Sequence, residues 1–538
     1  MSQFSSSLFL AQSYQDAWQD YTRALTHPSF VCWDYVILTA SNEQQAAGFR
    51  AQLKQRRADG MLPAKTHFAV IPDPEGKRVG SGGATLSVIR YIAEKTGSND
   101  FCGLRILVIH SGGDSRRIPQ YSALGKLFSP VPHELPNGHV STLFDEFMIG
   151  MAGGAALLSG DVLLLFNPLQ IDFSGDGAAV ISFKEKVETG KDHGVFLRGA
   201  DGNVARFLHK QNIEVLYSCG AVNERGMVDI DTGAVIFSAG MLKAFYGLIS
   251  AEGCLDEKLY ALYVNDTVRL SLYGDFLYPL AADSTLEDFY HEKPEGEYSE
   301  ALISARSALW KALRPFRMKL LRLAPAKFIH FGTTREIMYL MSGAISEYAC
   351  LGWDRCINSS IARQDVSGSS SVLSSEAVCG AGCYFEVSNI WPGVTVGENT
   401  LLSYVDVQEG TIPPYVVLHG LKQYDGRFVV RIYGVDDNPK GLLEEDCTFL
   451  SHSLRDFLAQ NGIALEELWQ GEPHSIWRAK LYPACETVKE AIANALNLYD
   501  MAQGKGNVEL WRAADRKSLE AGFQEADPDA LIAWGKRM

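Results

Sequence analysis

One segment of the sequence combines glycines, arginines and a lysine in an order suited to binding the phosphates of a nucleotide. It covers residues 110–126 and reads HSGGDSRRIPQYSALGK. Gly112 and Gly113 lack side chains, so their backbone N–H groups can approach phosphate oxygens closely. Arg117 and Lys126 would place fixed positive charge where negative charge builds up on an α-phosphate and a departing pyrophosphate. The segment has no GxxxxGK[ST] pattern, which excludes a Walker A loop.

Short apolar runs and amphipathic stripes alternate through the first third of the chain, which predicts βαβ units and an α/β fold with a mostly parallel sheet. The predicted strands cover residues 34–40, 67–71 and 104–110, and a fourth apolar run ends at 159–161. Ligands of such sheets bind outside the carboxyl ends of the strands, where the glycine-rich turns lie. A helix with an apolar stripe at Leu86, Ile89 and Ala93 follows Gly82 and Gly83, and we therefore expect these two glycines to shape a nucleotide pocket. The alternative is that they only permit a tight strand-to-helix turn.

The sequence after about residue 297 changes character twice. It first becomes helical and then, from about residue 366, rich in Ser, Gly, Val and Cys. Apolar residues recur there at every sixth position, which predicts a short β-helix of about two coils, with a Val-rich sandwich as the alternative. These residues are Val378, Tyr384, Ile390, Val396 and Leu402. Helical stripes return after residue 448, so we expect three domains, covering residues 1–335, 336–450 and 451–538.

Composition and charge exclude several classes of protein. The 538 residues are 46% hydrophobic and 21% charged, and their net charge of −15 comes with no basic cluster of the kind that nucleic acid requires. The N-terminus does not resemble a signal peptide, and the most apolar stretch, residues 155–169, is too short to cross a bilayer. The ten cysteines form no CxxC pair. We therefore expect a cytoplasmic protein with reduced thiols that binds neither nucleic acid nor membranes.

The phosphate-binding segment resembles the GGxxxRLxP…PK signature of sugar-nucleotide pyrophosphorylases, shortened by one residue before the proline. More specifically, the sequence resembles the GDP-L-fucose pyrophosphorylase family, also called fucose-1-phosphate guanylyltransferases. Further blocks keep that family's order: VGSGGATL (79–86), DHGVF (192–196), FLHK (207–210), YGDFL (273–277), FIHFGTTRE (328–336), PGVTVGEN (392–399), YGVDDNPKG (433–441) and IWRAKLYPAC (476–485). The resemblance implies a Rossmann-like nucleotidyltransferase domain followed by a left-handed β-helix and a helical C-terminal segment.

The resemblance also implies a reaction in which GTP and β-L-fucose 1-phosphate give GDP-L-fucose and pyrophosphate, assisted by Mg²⁺. The sugar phosphate is already a nucleophile at neutral pH, so the enzyme mainly has to align it with the α-phosphorus and neutralise charge. The family includes bifunctional fucokinase/pyrophosphorylases, from which we expect a functional link to a fucokinase. The chain itself lacks the PxxxGLGxSS-type phosphate loop of the kinase portion, which excludes kinase activity here.

Two carboxylates are candidate metal ligands. Asp161 lies just beyond a predicted strand end, where it would bind Mg²⁺ and nucleotide or merely cap the next turn. The family pattern points to Asp231 as the second ligand, with Asp229, on the same face of the strand, as an equal alternative. The expected nucleotide-binding residues are Gly82, Gly83, Ser111, Gly112, Gly113 and Asp161.

The remaining candidate residues concern the sugar phosphate. Lys210 falls where the wider superfamily places a lysine that holds this phosphate, although Gln211 replaces the usual proline, and a solvated surface lysine is the alternative. His193 and Gly194 would either contact the sugar or satisfy a loop hydrogen bond. The block containing His330, Thr333 and Thr334 would either close over the sugar or pack as a hinge. The expected catalytic residues are Arg117, Lys126 and Lys210.

Two other functions fit parts of the same pattern. An enzyme of this fold with a different sugar or base would differ by a few contacts that one sequence does not display. A catalytically silent nucleotide-sugar-binding or regulatory module is the second alternative. Against it, Arg117, Lys126, Asp161 and Lys210 are all present, whereas a decayed site would lose its charged groups first.

Overall fold

The structure, a computed structural model, describes residues 3–27, 29–30, 33–111, 113, 115–150, 156–159, 162–167, 170–191 and 193–536. The chain is a mixed α/β protein that divides into two compact units. Unit 1 comprises Met1–Ala46, Gly60–Gly112 and Glu146–Ile329, and unit 2 comprises Ala47–Asp59, Gly113–Asp145 and His330–Met538. In the described part of the chain, no helix has the length and apolar character needed to cross a membrane.

Helices and strands occur along the whole described chain. The helices are α1 Gln3–Thr26, α2 Glu43–Ala58, α3 Gly80–Thr96, α4 Leu143–Gly150, α5 Val187–Gly190, α6 Ile213–Ser218, α7 Ala239–Leu248, α8 Glu257–Tyr263, α9 Leu286–His291, α10 Glu300–Leu313, α11 Thr334–Met338, α12 Ile345–Tyr348, α13 Leu454–Asn461, α14 Leu465–Leu468, α15 Val488–Ala502, α16 Val508–Ala513, α17 Leu519–Gln524 and α18 Pro528–Gly535. The strands are β1 Tyr35–Ala40, β2 His67–Pro72, β3 Ile106–His110, β4 Pro130–Glu134, β5 Val140–Thr142, β6 Ala156–Ser159, β7 Val162–Leu165, β8 Gly177–Lys186, β9 Gly194–Arg198, β10 Val204–His209, β11 Met227–Phe237, β12 Ser250–Ala251, β13 Cys254–Leu255, β14 Arg317–Arg322, β15 Lys327–His330, β16 Cys356–Ile357, β17 Ser367–Ser369, β18 Val372–Leu373, β19 Val378–Cys379, β20 Tyr384–Glu386, β21 Asn389–Ile390, β22 Thr395–Val396, β23 Leu401–Ser403, β24 Asp406–Val407, β25 Thr411–Ile412, β26 Val416–Lys422, β27 Phe428–Gly434, β28 Thr448–Phe449, β29 His452–Ser453, β30 Tyr482–Cys485 and β31 Arg516–Lys517.

Unit 1 is built on one large sheet with the strand order β10-β9-β11-β6-β3-β1-β2, extended by β8 and β14. The strands β2, β1, β3 and β6 are parallel neighbours, which confirms the parallel sheet predicted from the alternation of strands and helices. The other half differs from the prediction, because β11 pairs antiparallel with β6, β8 and β9. β9 and β10 also pair antiparallel, and only residues 199–203 connect them, a length that favours this pairing. The sheet is therefore mixed rather than mostly parallel.

The helix α3 packs into the core of unit 1 through the apolar stripe that the sequence predicted. Leu86, Ile89 and Ala93 are all buried, and they join one core cluster with apolar residues of β1, β3, β8, β11, α7 and α10. Residues three and four apart share one face of a helix, which is why this spacing buries them together. The packing fixes the start of α3 beside the sheet.

The repetitive region of unit 2 winds through three parallel ladders in turn. These ladders are β17-β20-β23, continued by β26, then β18-β21-β24 and β19-β22-β25. Tyr384 lies beside Leu401 and Asn389 beside Asp406, so equivalent residues are seventeen positions apart. Of the residues spaced by six, Tyr384, Ile390, Val396 and Leu402 are buried as predicted, but Val378 is exposed. A coil of seventeen is one residue short of three sixes, so a strict six-residue spacing does not hold on every side.

The chain after the coils forms a hairpin and a set of short helices. β26 and β27 pair antiparallel over seven residues, and β30 and β31 extend the sheet. Two helices predicted from apolar stripes are present as α13 and α15. The first ends at Gly462 in the left-handed conformation, and the second begins at Thr487, whose side chain accepts a hydrogen bond from the Glu490 N–H.

Candidate functional site

The carboxyl ends of the parallel strands in unit 1 meet at one edge of the sheet. β1, β2 and β3 run in the same direction and end there at Ala40, Pro72 and His110. Ser111, the first residue beyond β3, is completely buried, and its hydroxyl has no hydrogen-bond partner among the described residues. A buried hydroxyl without a partner is unfavourable. This group can therefore donate to an oxygen of a ligand at the sheet edge.

His110 is held between two hydroxyl groups. Its Nδ1 lies 3.0 Å from Thr39 Oγ1 and its Nε2 lies 3.1 Å from Thr85 Oγ1. The Thr85 hydroxyl donates to the Ser81 carbonyl at 2.8 Å, so Nε2 carries the proton and Nδ1 accepts from Thr39. Burial lowers the pKa of His110 to about 4, and the ring is neutral at physiological pH. His110 thus fixes the end of β3 against β1 and α3.

Two aspartates on β11, Asp229 and Asp231, were equal candidates from sequence, and the structure gives them different surroundings. Asp229 accepts two hydrogen bonds from Arg322, at 2.6 and 2.5 Å, and lies 3.1 Å from the Lys184 ammonium. Asp231 is also buried, yet in the described part of the chain it has no cationic partner, and its Oδ1 accepts only the Gly233 N–H, at 2.9 Å. Burial raises the pKa of Asp231 to about 6. Asp231 is therefore the carboxylate that lacks a compensating charge.

Gly194 lies directly beside Asp231. β9 pairs with β11 so that Val195 is opposite Ile230. A Cβ on Gly194 would approach the Cβ of Asp231 to 2.9 Å and the ring of Phe207 to 2.7 Å. Such contacts are closer than packing tolerates. Gly194 is thus required by close packing against the buried carboxylate.

His193 and Lys210 come together next to Gly194. The backbone N–H of Lys210 donates to the His193 carbonyl at 3.1 Å, and the imidazole of His193 lies edge-on to Phe328, with ring centroids 5.4 Å apart. The side chain of Lys210 is exposed, and its backbone has a φ of +48°, an unusual conformation for a residue with a side chain. Unit 1 therefore brings together four of the candidate residues, Asp231, Gly194, His193 and Lys210.

The glycines at the start of α3 are packed against backbone. The Gly82 N–H donates to the Leu270 carbonyl at 2.7 Å, and a Cβ on Gly82 would lie 3.0 Å from that oxygen. Gly83 faces the Val79 side chain at a similar distance. These contacts supply a structural reason for both glycines, in agreement with the tight-turn alternative.

The segment carrying Arg117 and Lys126 belongs to unit 2. Gly113 has a φ of +96°, and among the described residues that are not its chain neighbours no atom lies within 4 Å of the position that a Cβ would occupy. Arg117 is exposed and Lys126 is half-buried. The neighbouring Arg116 differs, since its guanidinium lies over the ring of Trp477, 5.7 Å from the centroid. Of the two consecutive arginines, Arg117 is thus the more accessible to a ligand.

The block containing His330, Thr333 and Thr334 is engaged within unit 2. Thr333 caps α11 by accepting the Glu336 N–H at 3.2 Å, and Glu336 in return accepts the Thr333 N–H at 2.9 Å. Thr334 is buried and its Oγ1 lies 3.4 Å from the side-chain amide of Gln120. His330 Nδ1 lies 3.4 Å from Glu336. These contacts favour packing over a direct role at the sugar.

Two of the candidate residues, Gly112 and Asp161, lie outside the described residues. In the part of the chain that the structure describes, no group of three or more His, Cys, Asp or Glu side chains is arranged to hold a metal ion. Asp73 was missed by the sequence analysis. It follows β2 at the carboxyl edge of the sheet, and burial raises its pKa to about 6.

A buried polar network around residues 119–122 was also missed. Arg431 donates to the Pro119 carbonyl at 2.7 Å, Tyr433 donates to Gln120 Oε1 at 2.7 Å, and Tyr121 donates to Glu386 at 2.7 Å. The signal in the sequence was a lone polar residue inside an apolar strand, as in FVVRIYG at 428–434. Because a strand alternates its faces, such a residue points to a buried polar partner, but pairing it with one loop requires the fold.

The sequence comparisons with known proteins agree with one another. A family model described as the fucose pyrophosphorylase domain matches residues 99–487. A bifunctional fucokinase/GDP-fucose pyrophosphorylase of Arabidopsis thaliana is 28% identical over 587 aligned residues, which cover 95% of this chain and 52% of that protein. This chain therefore spans about half the length of the Arabidopsis relative. A fucose-1-phosphate guanylyltransferase of Homo sapiens is 26% identical over 537 residues, which cover 89% of this chain and 86% of that protein.

One solved structure gives a weaker match. HddC from Yersinia pseudotuberculosis, complexed with GMP-PN, aligns with 56% of this chain and 96% of its own at 10% identity, with a TM-score of 0.24. Similarity at that level supports no conclusion about the fold or the site.

Proposed function

Because this chain belongs to the fucose pyrophosphorylase family, we propose that it is a guanylyltransferase that makes GDP-L-fucose and pyrophosphate from GTP and β-L-fucose 1-phosphate. The observation that carries the proposal is the family match over residues 99–487, which includes the segment with Arg117 and Lys126. The similarity to fucose-1-phosphate guanylyltransferase over most of both chains supports it. The charged groups in the two units, Arg117 and Lys126 in unit 2 and Asp231 and Lys210 in unit 1, are consistent with this reaction.

In the proposed reaction, a phosphate oxygen of the sugar phosphate attacks the α-phosphorus of GTP in line with the bond to the β-phosphate. That bond breaks as the new one forms, and pyrophosphate leaves with its electron pair. Arg117 and Lys126 neutralise the charge that builds up on the phosphates. Lys210 binds the phosphate of the sugar, next to His193 and Gly194. No general base is needed, since the attacking oxygen is already ionised at neutral pH.

We also propose that Asp231 is a ligand for Mg²⁺, together with Asp161. Asp231 fits that role because it is a buried carboxylate with no cation beside it among the described residues, and its Oδ2 accepts no hydrogen bond there. Mg²⁺ keeps several of its waters and needs only one or two carboxylates, so a larger cluster of acidic residues is not required. When bound, the ion would neutralise charge on the phosphate oxygens. Asp229 does not fit, since Arg322 and Lys184 already compensate it.

We also propose a domain division, a cellular location and a functional link for this enzyme. We propose that residues 1–335 form a Rossmann-like nucleotidyltransferase domain, residues 336–450 a left-handed β-helix and residues 451–538 a helical segment. The strand order of the large sheet supports the first of these regions and the three parallel ladders support the second, while β30 and β31 of the third region continue the sheet of β26 and β27. We place the enzyme in the cytoplasm, with a functional link to a fucokinase. The Arabidopsis relative, whose name combines both activities, supports that link.

The test is pyrophosphate release with Mg²⁺, crossing GTP, ATP, UTP and CTP with the 1-phosphates of fucose, mannose, glucose and galactose. We expect release only from GTP with fucose 1-phosphate. Strong release from another pair would assign a different sugar or base. A folded protein that binds GDP-fucose but releases no pyrophosphate with any pair would be a regulatory module, and the proposed activity would be wrong.

A further inference from the structure

The short turn between Arg117 and Lys126 is organised around one carbonyl. The oxygen of Pro119 accepts the Ser122 N–H at 2.9 Å, the Ser122 hydroxyl at 2.7 Å and the Nη2 group of Arg431 at 2.7 Å. Nη1 of Arg431 also lies 3.2 Å from the Ser122 hydroxyl. The guanidinium therefore holds both ends of a turn that stands two residues after Arg117 and four before Lys126.

Arg431 is an unusual residue to find in a core. It lies in the middle of β27, is completely buried, and has no carboxylate within ion-pair distance in the described part of the chain. Its other contact is Nδ1 of His419, at 2.7 Å, and this neutral ring adds no negative charge. Burial lowers the pKa of Arg431 to about 10, so the group remains charged at neutral pH. A buried charge without a counter-ion costs stability, and an apolar side chain would pack there more favourably.

The neighbouring residues of the turn have buried anchors of their own. Tyr433, two residues after Arg431, donates to Gln120 at 2.7 Å. Tyr121 donates to Glu386 at 2.7 Å, and all of these side chains are buried. Two strands of the C-terminal region, β20 and β27, thus supply polar groups that converge on residues 119–122, and β26 contacts Arg431 through His419. This concentration of buried polar groups on one loop is what a precisely held functional segment requires.

We propose that Arg431 is a positioning residue for the reaction, fixing the Pro119–Ser122 turn so that Arg117 and Lys126 face the phosphates. The inference rests on the proposed function and adds to it a role for the C-terminal strands. The unfavourable buried charge is retained because no apolar side chain can donate to the Pro119 carbonyl and to Ser122 at once. The buried guanidinium of Arg431 thus fixes the geometry of the loop and does not add to the stability of the core.

The first test is a double-mutant cycle on kcat for pyrophosphate release. Arg431→Lys keeps the charge but loses the planar fork, and we expect kcat to fall by about ten- to a hundred-fold, as small misplacements of catalytic groups do. In a Lys126→Ala background the same change should cost only about three-fold, because one of the groups that the turn positions is already absent. Additive effects, or an unchanged kcat for Arg431→Lys, would overturn the proposal.

A matched control is available just before the same strand. Arg427 pairs with Asp425 and Asp515 at the surface, so Arg427→Lys should leave kcat within about two-fold of the wild type. Tyr433→Phe removes one hydroxyl that anchors the same turn, and it serves as a milder variant if Arg431→Lys fails to fold. It should lower kcat without a matching rise in KM. If Tyr433→Phe left kcat unchanged, the anchoring role of these strands would be wrong.

A second measurement does not depend on activity. Hydrogen exchange in Arg431→Lys should show lost protection in peptides that cover residues 115–126, while β26 and β27 keep theirs. Equal loss in all three, or no loss, would make Arg431 an ordinary structural residue. An inactive wild-type protein would refute the proposed function alone, and the exchange experiment would still decide whether Arg431 holds the loop.

Discussion

Asp229 and Asp231 lie two residues apart on β11, yet replacing each by asparagine should change stability in opposite directions. Asp231→Asn removes a buried carboxylate that has no cation beside it in the described residues. The asparagine oxygen can still accept the Gly233 N–H. Asp229→Asn instead leaves Arg322 and Lys184 without their shared counter-ion.

The size of the first effect follows from the pKa of Asp231. Burial raises it from 3.8 to about 6, so the folded state holds the proton more tightly than the unfolded state does. Stability therefore falls as the pH rises from about 4 to about 6, by roughly 3 kcal/mol for a shift of about two units. At pH 8 and without metal, Asp231→Asn should thus be more stable than the wild type by up to about 3 kcal/mol. Near pH 4 the two proteins should be equally stable.

The loss of stability expected for Asp229→Asn is limited, because solvent partly screens the charges of Arg322 and Lys184. The side chains of Arg322 and Lys184 are 35% and 30% exposed, so losing Asp229 should destabilise the protein by about 1–3 kcal/mol at pH 8. Urea unfolding in EDTA at pH 5 and pH 8, with hydrogen exchange of β11 to identify the transition of unit 1, measures both variants. A destabilised Asp231→Asn at pH 8, or a gain in stability that did not depend on pH, would show that Asp231 is not an uncompensated buried carboxylate.

Three further predictions concern the loops. Lys126→Ala should fold normally but lower kcat by about a hundred-fold, as loss of a contact to transition-state charge does; near-normal pyrophosphate release would remove Lys126 from the mechanism. Gly125→Ala should destabilise the protein by about 1–3 kcal/mol, because the residue has a φ of +91° and the added Cβ would meet the ring of Phe49; an unchanged thermal unfolding midpoint would contradict this. Thr333→Ala should cost about 1 kcal/mol through loss of the helix cap with no change in KM for the sugar phosphate, and a raised KM would instead show that Thr333 contacts the sugar.

Local patterns were sufficient to predict several elements of the fold. Apolar runs predicted β1, β2 and β3, and the stripe through Leu86, Ile89 and Ala93 predicted α3, because period and burial are linked in regular structure. The antiparallel half of the large sheet was not predicted. Whether consecutive strands pair in parallel or antiparallel depends on the path of the connecting segments, which periodicity does not encode.

The sequence likewise identified some residues of the candidate site but not others. The glycines and cations of residues 110–126 could be found from their types and spacing, since a phosphate needs donors and charge in a short stretch of chain. The choice between Asp229 and Asp231 could not be made from the sequence, because both occupy the same face of one strand. What separates them is Arg322, ninety-three positions later in the chain, which reaches Asp229 and leaves Asp231 without a cation among the described residues.

The sequence by itself identified three features of this protein. They are a glycine-rich segment with Arg117 and Lys126, a parallel sheet whose strand ends can bind ligands, and a repetitive region after residue 366. Only the tertiary structure decided which charged groups have a partner of opposite charge and which segments are fixed by buried hydrogen bonds. Arg431 shows the reason, since a buried charge lies within hydrogen-bond distance of a carbonyl 312 residues away along the chain. Contacts at that separation depend on how the elements pack, and no local pattern records them.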